Sequence, residues 1–344
     1  DSVDVHLNEY TKLSLGHFRY NLKQKEIVLN DIALGYSIDW VNVSKRQGFQ
    51  NDILELKLKE LAIHNLQPSS EFYISLDIAA EKISLDSLEI KLQRNKNLVR
   101  PADEHKPTFN GIIEGIPVAL RLDSLQITNS TVSYSELGVK KHESGTVKFT
   151  KINGLITKIT NVSENQNEWK QMTATIDSEI ANVTPVKIDL AMPYNKESFA
   201  LNVDVGSMNL NVLNPTLKPL AGVEIMSGQM QRIHYTMNAG QFTSQNKLIF
   251  DYEDLHLNLI KENSENKEKK QVLLSLIANS AIRSNNVPND KKYLTADYES
   301  TRNIYRSPVN YIIQGLIHGF TKIVPGKGIQ KLINKADKKA KKKK

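Results

Sequence analysis

The chain carries eight histidines, the first residues to test for chemistry: His6, His17, His64, His105, His142, His234, His256 and His318. No two stand four apart, the spacing that puts a pair of metal ligands on one helix face, and no HExxH occurs. They read as polar strand and loop positions. Asp103, Glu104 and His105 are adjacent in a proline-bounded stretch. Adjacent side chains do not easily converge on one ion, so this reads as a solvated loop. Gly326 and Gly328 form GxG without the third glycine or a preceding strand. Lys327 follows Gly326, yet no glycine stands five residues before Gly326. Neither a dinucleotide fingerprint nor a phosphate-binding loop is satisfied. No GxSxG nucleophile elbow is present. The absence of cysteine removes disulfides, thiol catalysis and cysteine-bound zinc. Asp86 and Glu89 alternate with apolar residues, as on the wet side of a half-buried sheet. The expectation is no enzyme, no metal and no cofactor.

Charge narrows the partners. The net charge is +7, and Lys335 to Lys344 hold seven lysines against Asp337, so +6 of it lies in the last ten residues. The basic character is a tail, not a surface, and no nucleic-acid-binding face is expected. Electrostatic attraction to acidic lipid headgroups suits such a tail. Sequons at Asn42, Asn129, Asn161 and Asn182 matter only in a eukaryotic secretory setting, which nothing else supports.

What could position function is a repeat. Two apolar residues at alternate positions, a two-residue polar gap, then two more recur along the chain. The copies include Ile27, Leu29, Ile32, Leu34; Leu56, Leu58, Leu61, Ile63; Ile83, Leu85, Leu88, Ile90; and Leu120, Leu122, Leu125, Ile127. Looser copies run through Phe149, Val203 and Phe250. Period two makes one side of a strand apolar, and a bulge in the gap keeps the apolar set on that side. The expected fold is mainly β: an elongated, twisted antiparallel sheet forming an open groove with an apolar inner face, closed by carboxy-terminal amphipathic helices.

The expected divisions are a β-groove repeat region over 1–281, an irregular connector over 282–308, amphipathic helices over 309–336 and a lysine-rich tail over 337–344. Prolines 101, 107 and 117 mark a long loop near 93–117. Residues 223–260 read as three strands, 261–270 as a charged hairpin tip and 271–281 as a last apolar strand. From Val309 to Ile323 the apolar period changes to that of a helix, with Ser307-Pro308 as its start and Pro325-Gly326 as its stop. A second short helix carries Ile329, Leu332 and Ile333. The chain opens at Asp1 inside an alternating strand, so a natural start upstream is expected.

The LxLDSLxI units, followed by Asn129-Ser130-Thr131-Val132-Ser133-Tyr134, resemble the AsmA-like proteins of the Gram-negative envelope. The stretch from Gly228 to Leu255, then Leu276 to Asn279, Arg283 to Pro288, and Tyr305-Arg306-Ser307 with its helix are similar to the closing segment of that family. The resemblance covers roughly residues 50–322, and the family's amino-terminal transmembrane helix has no counterpart here. It implies a long β-groove in lipid transport rather than catalysis. It also implies a periplasmic location, inner-membrane associated through an upstream segment. Candidate groove-lining residues are Leu56, Leu58, Leu61, Leu85, Leu88, Leu120, Leu122, Leu125, Ile127 and Phe149. Ile313, Leu316, Ile317 and Phe320 are expected to cap one end of the sheet or to lie on a membrane. The expected partners are phospholipid or another lipid, a membrane surface, and envelope proteins at the groove ends. The alternative is a structural or adhesive β-repeat protein with a closed core and no lipid.

Overall fold

The repeats fold into strands of one sheet. The computed structural model describes residues 3–67, 77–138, 143–259 and 282–326. The connector over 261–270, the strand over 271–281, the helix around Leu332 and the lysine tail lie outside these.

The strands are β1 (Val3–His6), β2 (Thr11–Leu15), β3 (Phe18–Asn21), β4 (Glu26–Tyr36), β5 (Asp52–His64), β6 (Ile78–Asn95), β7 (Leu120–Leu137) and β8 (Ser144–Thr160). They continue with β9 (Gln171–Ile180), β10 (Thr184–Pro193), β11 (Phe199–Val205), β12 (Met208–Asn209), β13 (Val223–Ala239), β14 (Thr243–Leu259) and β15 (Ala296–Thr301). All fifteen belong to one open sheet ordered β1-β2-β4-β5-β6-β7-β8-β9-β10-β11-β13-β14-β15, with β3 beside β4 and β12 beside β13. The helices are α1 (Trp40–Gln47), α2 (Phe109–Glu114), α3 (Ser163–Trp169), α4 (Asn214–Ala221) and α5 (Pro308–Ile323).

Left-handed residues interrupt the alternation of several strands. Asp31, Ser87, Asn129, Lys151 and Asp254 have φ between 49° and 57°; all but Asn129, which lies beyond the Asp123-Ser124 gap of its copy, are second gap residues, and the Lys59-Glu60 gap of β5 holds no such residue. A left-handed residue in an otherwise extended strand inserts one position and shifts the phase. In β4, β6, β7 and β8 these residues fall at one level, forming a seam across the sheet. The pairing of β5 with β4 and with β6 keeps one register across the seam. Leu85 pairs Leu61 on one side of it, and Leu88 pairs Leu58 on the other.

Among the described residues the strands of the sheet pair antiparallel except at one place. β6 and β7 run parallel, with Ile78 opposite Leu120 and Asn95 opposite Leu137. The expectation of a purely antiparallel sheet is corrected here. A parallel pair needs a return crossing, and the proline-rich stretch supplies it, with α2 inside it. The two near-identical octapeptides therefore do not align: Ile83 of ISLDSLEI faces Leu125 in the middle of LRLDSLQI. Residues 223–260 form two long strands rather than three, and the stretch read as an irregular connector contains β15. The alternating Ala296, Tyr298 and Ser300 of β15 are buried, but their small and polar members hid the period.

The buried core lies under α5. Ser307 caps the helix by accepting from the Asn310 amide at 3.3 Å, and Pro308 takes the first turn. Two glycines let it sit close to the sheet. A Cβ at Gly315 would collide with the Tyr235 hydroxyl, and one at Gly319 with the Tyr298 hydroxyl. Phe320 meets Phe250 edge-on at 5.0 Å. Tyr235, Met237, Leu248 and Tyr252 are at most 1% exposed. Among the described residues no helix is long and apolar enough to cross a membrane.

Candidate functional site

Residues opposite each other across a ladder share a face. One row can be followed through eleven strands: Leu29, Leu61, Leu85, Ile127, Gly154, Ile176, Ile188, Val203, Tyr235, Leu248 and Ala296. The row two residues along reads Ile27, Ile63, Ile83, Leu125, Ile156, Ala174, Leu190, Leu201, Met237, Asn246 and Tyr298. Asn246 is its one amide, and it is internally paired. It accepts from the Tyr235 hydroxyl at 2.8 Å and donates to the Ser244 hydroxyl at 2.9 Å. The row between these two points to the other face. From β6 onward it reads Ser84, Gln126, Leu155, Thr175, Asp189, Asn202, Thr236, Lys247 and Asp297. Only Leu155 is apolar.

α5 packs on the two apolar rows at β13, β14 and β15. On β4 to β8 the same rows are half-exposed: Ile27, Leu29, Leu61, Ile63, Ile83, Leu85, Leu125, Ile127 and Ile156 are neither buried nor fully open.

Beyond the bulge seam a further row runs Leu34, Leu56, Ile90, Val132, Phe149 and Ile180. The next is Leu54, Leu92, Tyr134 and Val147. Then the side chains change character: Asp52, Arg94 and Glu136 stand opposite one another. Arg94 donates to both Asp52 oxygens, at 2.7 and 2.5 Å. Lys96 pairs with Glu136, which also accepts from the Tyr134 hydroxyl at 3.0 Å. Burial, then the Glu136 charge, push the Tyr134 phenol far above its ordinary range. The apolar surface therefore ends in an ion-paired border.

The ten candidate lining residues divide in two. Leu56, Leu61, Leu85, Leu88, Leu120, Leu125, Ile127 and Phe149 are half-exposed, whereas Leu58 and Leu122 are buried, at 6% and 3% exposure. Leu122 lies between Ala80 and Ile159 in the core. Of the four helix residues, Leu316 and Phe320 pack against the core, while Ile313 and Ile317 remain 47% and 42% exposed. Val309, 53% exposed, continues that outer stripe.

Three arrangements escaped the sequence reading. The Asp86 carboxylate at the bulge seam accepts from Thr128 at 2.8 Å, Asn129 at 3.2 Å and Ser87 at 3.1 Å. These bonds, the one from Thr128 foremost, hold it below the usual aspartate range. The buried Arg302 guanidinium donates to the Lys106 and Pro107 carbonyls at 2.6 and 2.8 Å, tying the crossing to the start of α5. Gly315-x-x-x-Gly319 was a readable signal for close helix packing. The other two depend on partners far away in sequence.

Among the described residues no group of three His, Asp or Glu side chains is placed to hold a metal ion. No protein-family model matches the chain, and no curated protein matches it.

Proposed function

We propose that this protein binds lipid and conducts acyl chains along the half-exposed rows of β4 to β8, as an AsmA-like groove in a cell envelope. One observation carries the reading. Rows that are dry beneath α5 continue on the same face to β4, where their leucines and isoleucines are only half covered. Each methylene taken from water contributes about 0.8 kcal/mol, so an aliphatic surface holds acyl chains without polar contacts. Near-uniform aliphatic rows favour sliding, because no single contact dominates. Nothing in this role calls for catalysis. The exposed stripe of Val309, Ile313 and Ile317 supports a second contact, with a membrane surface, since it lies on the side of α5 away from the sheet. A periplasmic location and partners capping the groove ends belong to the same proposal.

The test is mass spectrometry of lipid extracted from gently purified protein, beside a Leu85→Asp, Ile127→Asp double variant. Both positions are half-exposed, so the fold should survive. The expected result is bound phospholipid in the parent and its loss in a folded variant. A lipid-free parent with a sharp cooperative melt would instead favour a structural or adhesive β-repeat protein.

A further inference from the structure

The outermost strand, β1, pairs with β2 on one side, and among the described residues no strand lies on its other side. Val3, Val5 and Leu7 are 55%, 40% and 56% exposed. By alternation they share one face, and Asp4 and His6 share the other. The first is the apolar face of the sheet, because the row that reaches β4 at Leu34 continues through Leu13 to Val5. An apolar strand with an open edge is a template for a further strand.

The turn after β1 fixes where its free backbone groups point. The Leu7 amide donates to the Thr11 carbonyl at 2.9 Å. Bonded and unbonded positions alternate along an antiparallel ladder. Val3, Val5 and Leu7 therefore turn their backbone groups to β2, whereas Asp4 and His6 turn theirs outward. An added antiparallel strand must bond at Asp4 and His6. For β1 of a second copy, Asp4 on Asp4 and His6 on His6 set like groups face to face. The first of these registers leaves Leu7 without an apolar partner, and the second leaves Val3 without one. Val5 on Val5 instead sets Asp4 opposite His6 twice and Val3 opposite Leu7 twice. Lys12 and Ser14 hold the Asp4 carboxylate, each at 2.8 Å, on the face where His6 of the second copy falls. Charge and apolar pattern thus select the same register.

We propose that β1 is a self-association edge: two copies of this chain join antiparallel about Val5, making one sheet whose apolar faces run into each other. The occupant is a second copy because the strand is complementary to itself in both charge and pattern. The interface is small, so the dimer is weak and concentration-dependent. This association goes beyond lipid binding and stands without it.

The cysteine-free sequence makes the register testable. Val5→Cys and Val3→Cys would be mildly oxidised and their crosslinking followed on non-reducing gels. Cα atoms of an unbonded antiparallel pair stand about 4.5 Å apart, within reach of a disulfide. Sedimentation velocity over a concentration series would follow the parent, Val5→Lys, Asp4→Lys and the double variant Asp4→Lys, His6→Asp, each checked for fold by circular dichroism. Crosslinking at Val5 should be roughly tenfold faster than at Val3, which faces Leu7 instead of itself. Val5→Lys and Asp4→Lys should each weaken the dimer about tenfold, and the double variant, which restores opposite charges in this register, should recover it. A parent that stays monomeric at every concentration would overturn the proposal. So would a dimer indifferent to Val5→Lys, or equal crosslinking at Val3 and Val5.

Discussion

The Tyr298 hydroxyl donates a 2.8 Å hydrogen bond to the carbonyl of Gly315, in the middle of α5. A strand side chain thus reaches the helix backbone, which only the missing side chains at Gly315 and Gly319 permit. Replacing Gly315 with Val should push Tyr235 and Asn246 out of place. Overpacking of this kind costs about 1–3 kcal/mol. The expected outcome is a lowered midpoint in thermal and denaturant unfolding, with Gly315→Ala less affected.

The two sides of α5 should separate stability from membrane contact. Phe320→Asp places a charge against Phe250 and should lower the melting temperature strongly. Ile317→Asp, on the open stripe, should change stability by no more than about 0.5 kcal/mol. Sedimentation with anionic vesicles should nonetheless fall for Ile317→Asp. Unchanged sedimentation would remove the membrane contact from the proposal.

Asp86 makes a pH prediction. Its folded-state pKa lies below the ordinary 3.8, so the carboxylate favours the folded state above that value. The contribution should fade as pH falls from 3.8 through the lower folded value. Unfolding midpoints of the parent and Asp86→Asn, followed from pH 6 downward in about half-unit steps, should converge in that acid window. A gap that stays constant with pH would mean that Asp86 acts by shape alone.

The buried phenols predict the alkaline limb. Burial raises Tyr252 to about 12 and carries Tyr235 and Tyr298 higher still. With folded values above the ordinary 10, their stabilising effect is complete below pH 10 and is lost as pH rises towards the folded values. Phenolate absorbance should therefore rise in two stages, the second coinciding with loss of the β circular-dichroism signal.

Arg302 should prove to be a fastening of the crossing. Arg302→Ala removes charge-assisted bonds to two carbonyls, worth about 1.5–3 kcal/mol each before relaxation. Limited proteolysis should then cut between Arg100 and Lys106 faster than in the parent, with lipid-independent kinetics.

Local pattern made much of this fold legible. Alternation placed the strands, the two-residue gaps marked the left-handed residues Asp31, Ser87, Lys151 and Asp254 but not Asn129, and the change of period with Ser307-Pro308 placed α5. Pairing partners were not legible, because register is decided by residues far apart in sequence. The octapeptides around Leu85 and Leu122 look equivalent, yet one lies half-open on a row and the other lies in the core. The same limit concealed the lacing by Arg302, which exists only where the crossing meets the segment before α5.

The parallel pairing of β6 with β7 has a consequence for how the molecule is made. β1 to β6 are built by strands that meet their neighbours soon after synthesis, and most of the pairs from β7 to β14 form the same way. Joining β6 to β7 is different, because Ile78 must find Leu120 after the chain has travelled back along a strand of about 60 Å. Late, distant pairing of this kind is slow. The chain should therefore fold as two zippers that form separately, with their docking setting the overall refolding rate. Between those events the long outer edges of β6 and β7 stand open together, and that interval is when the protein is most exposed to aggregation.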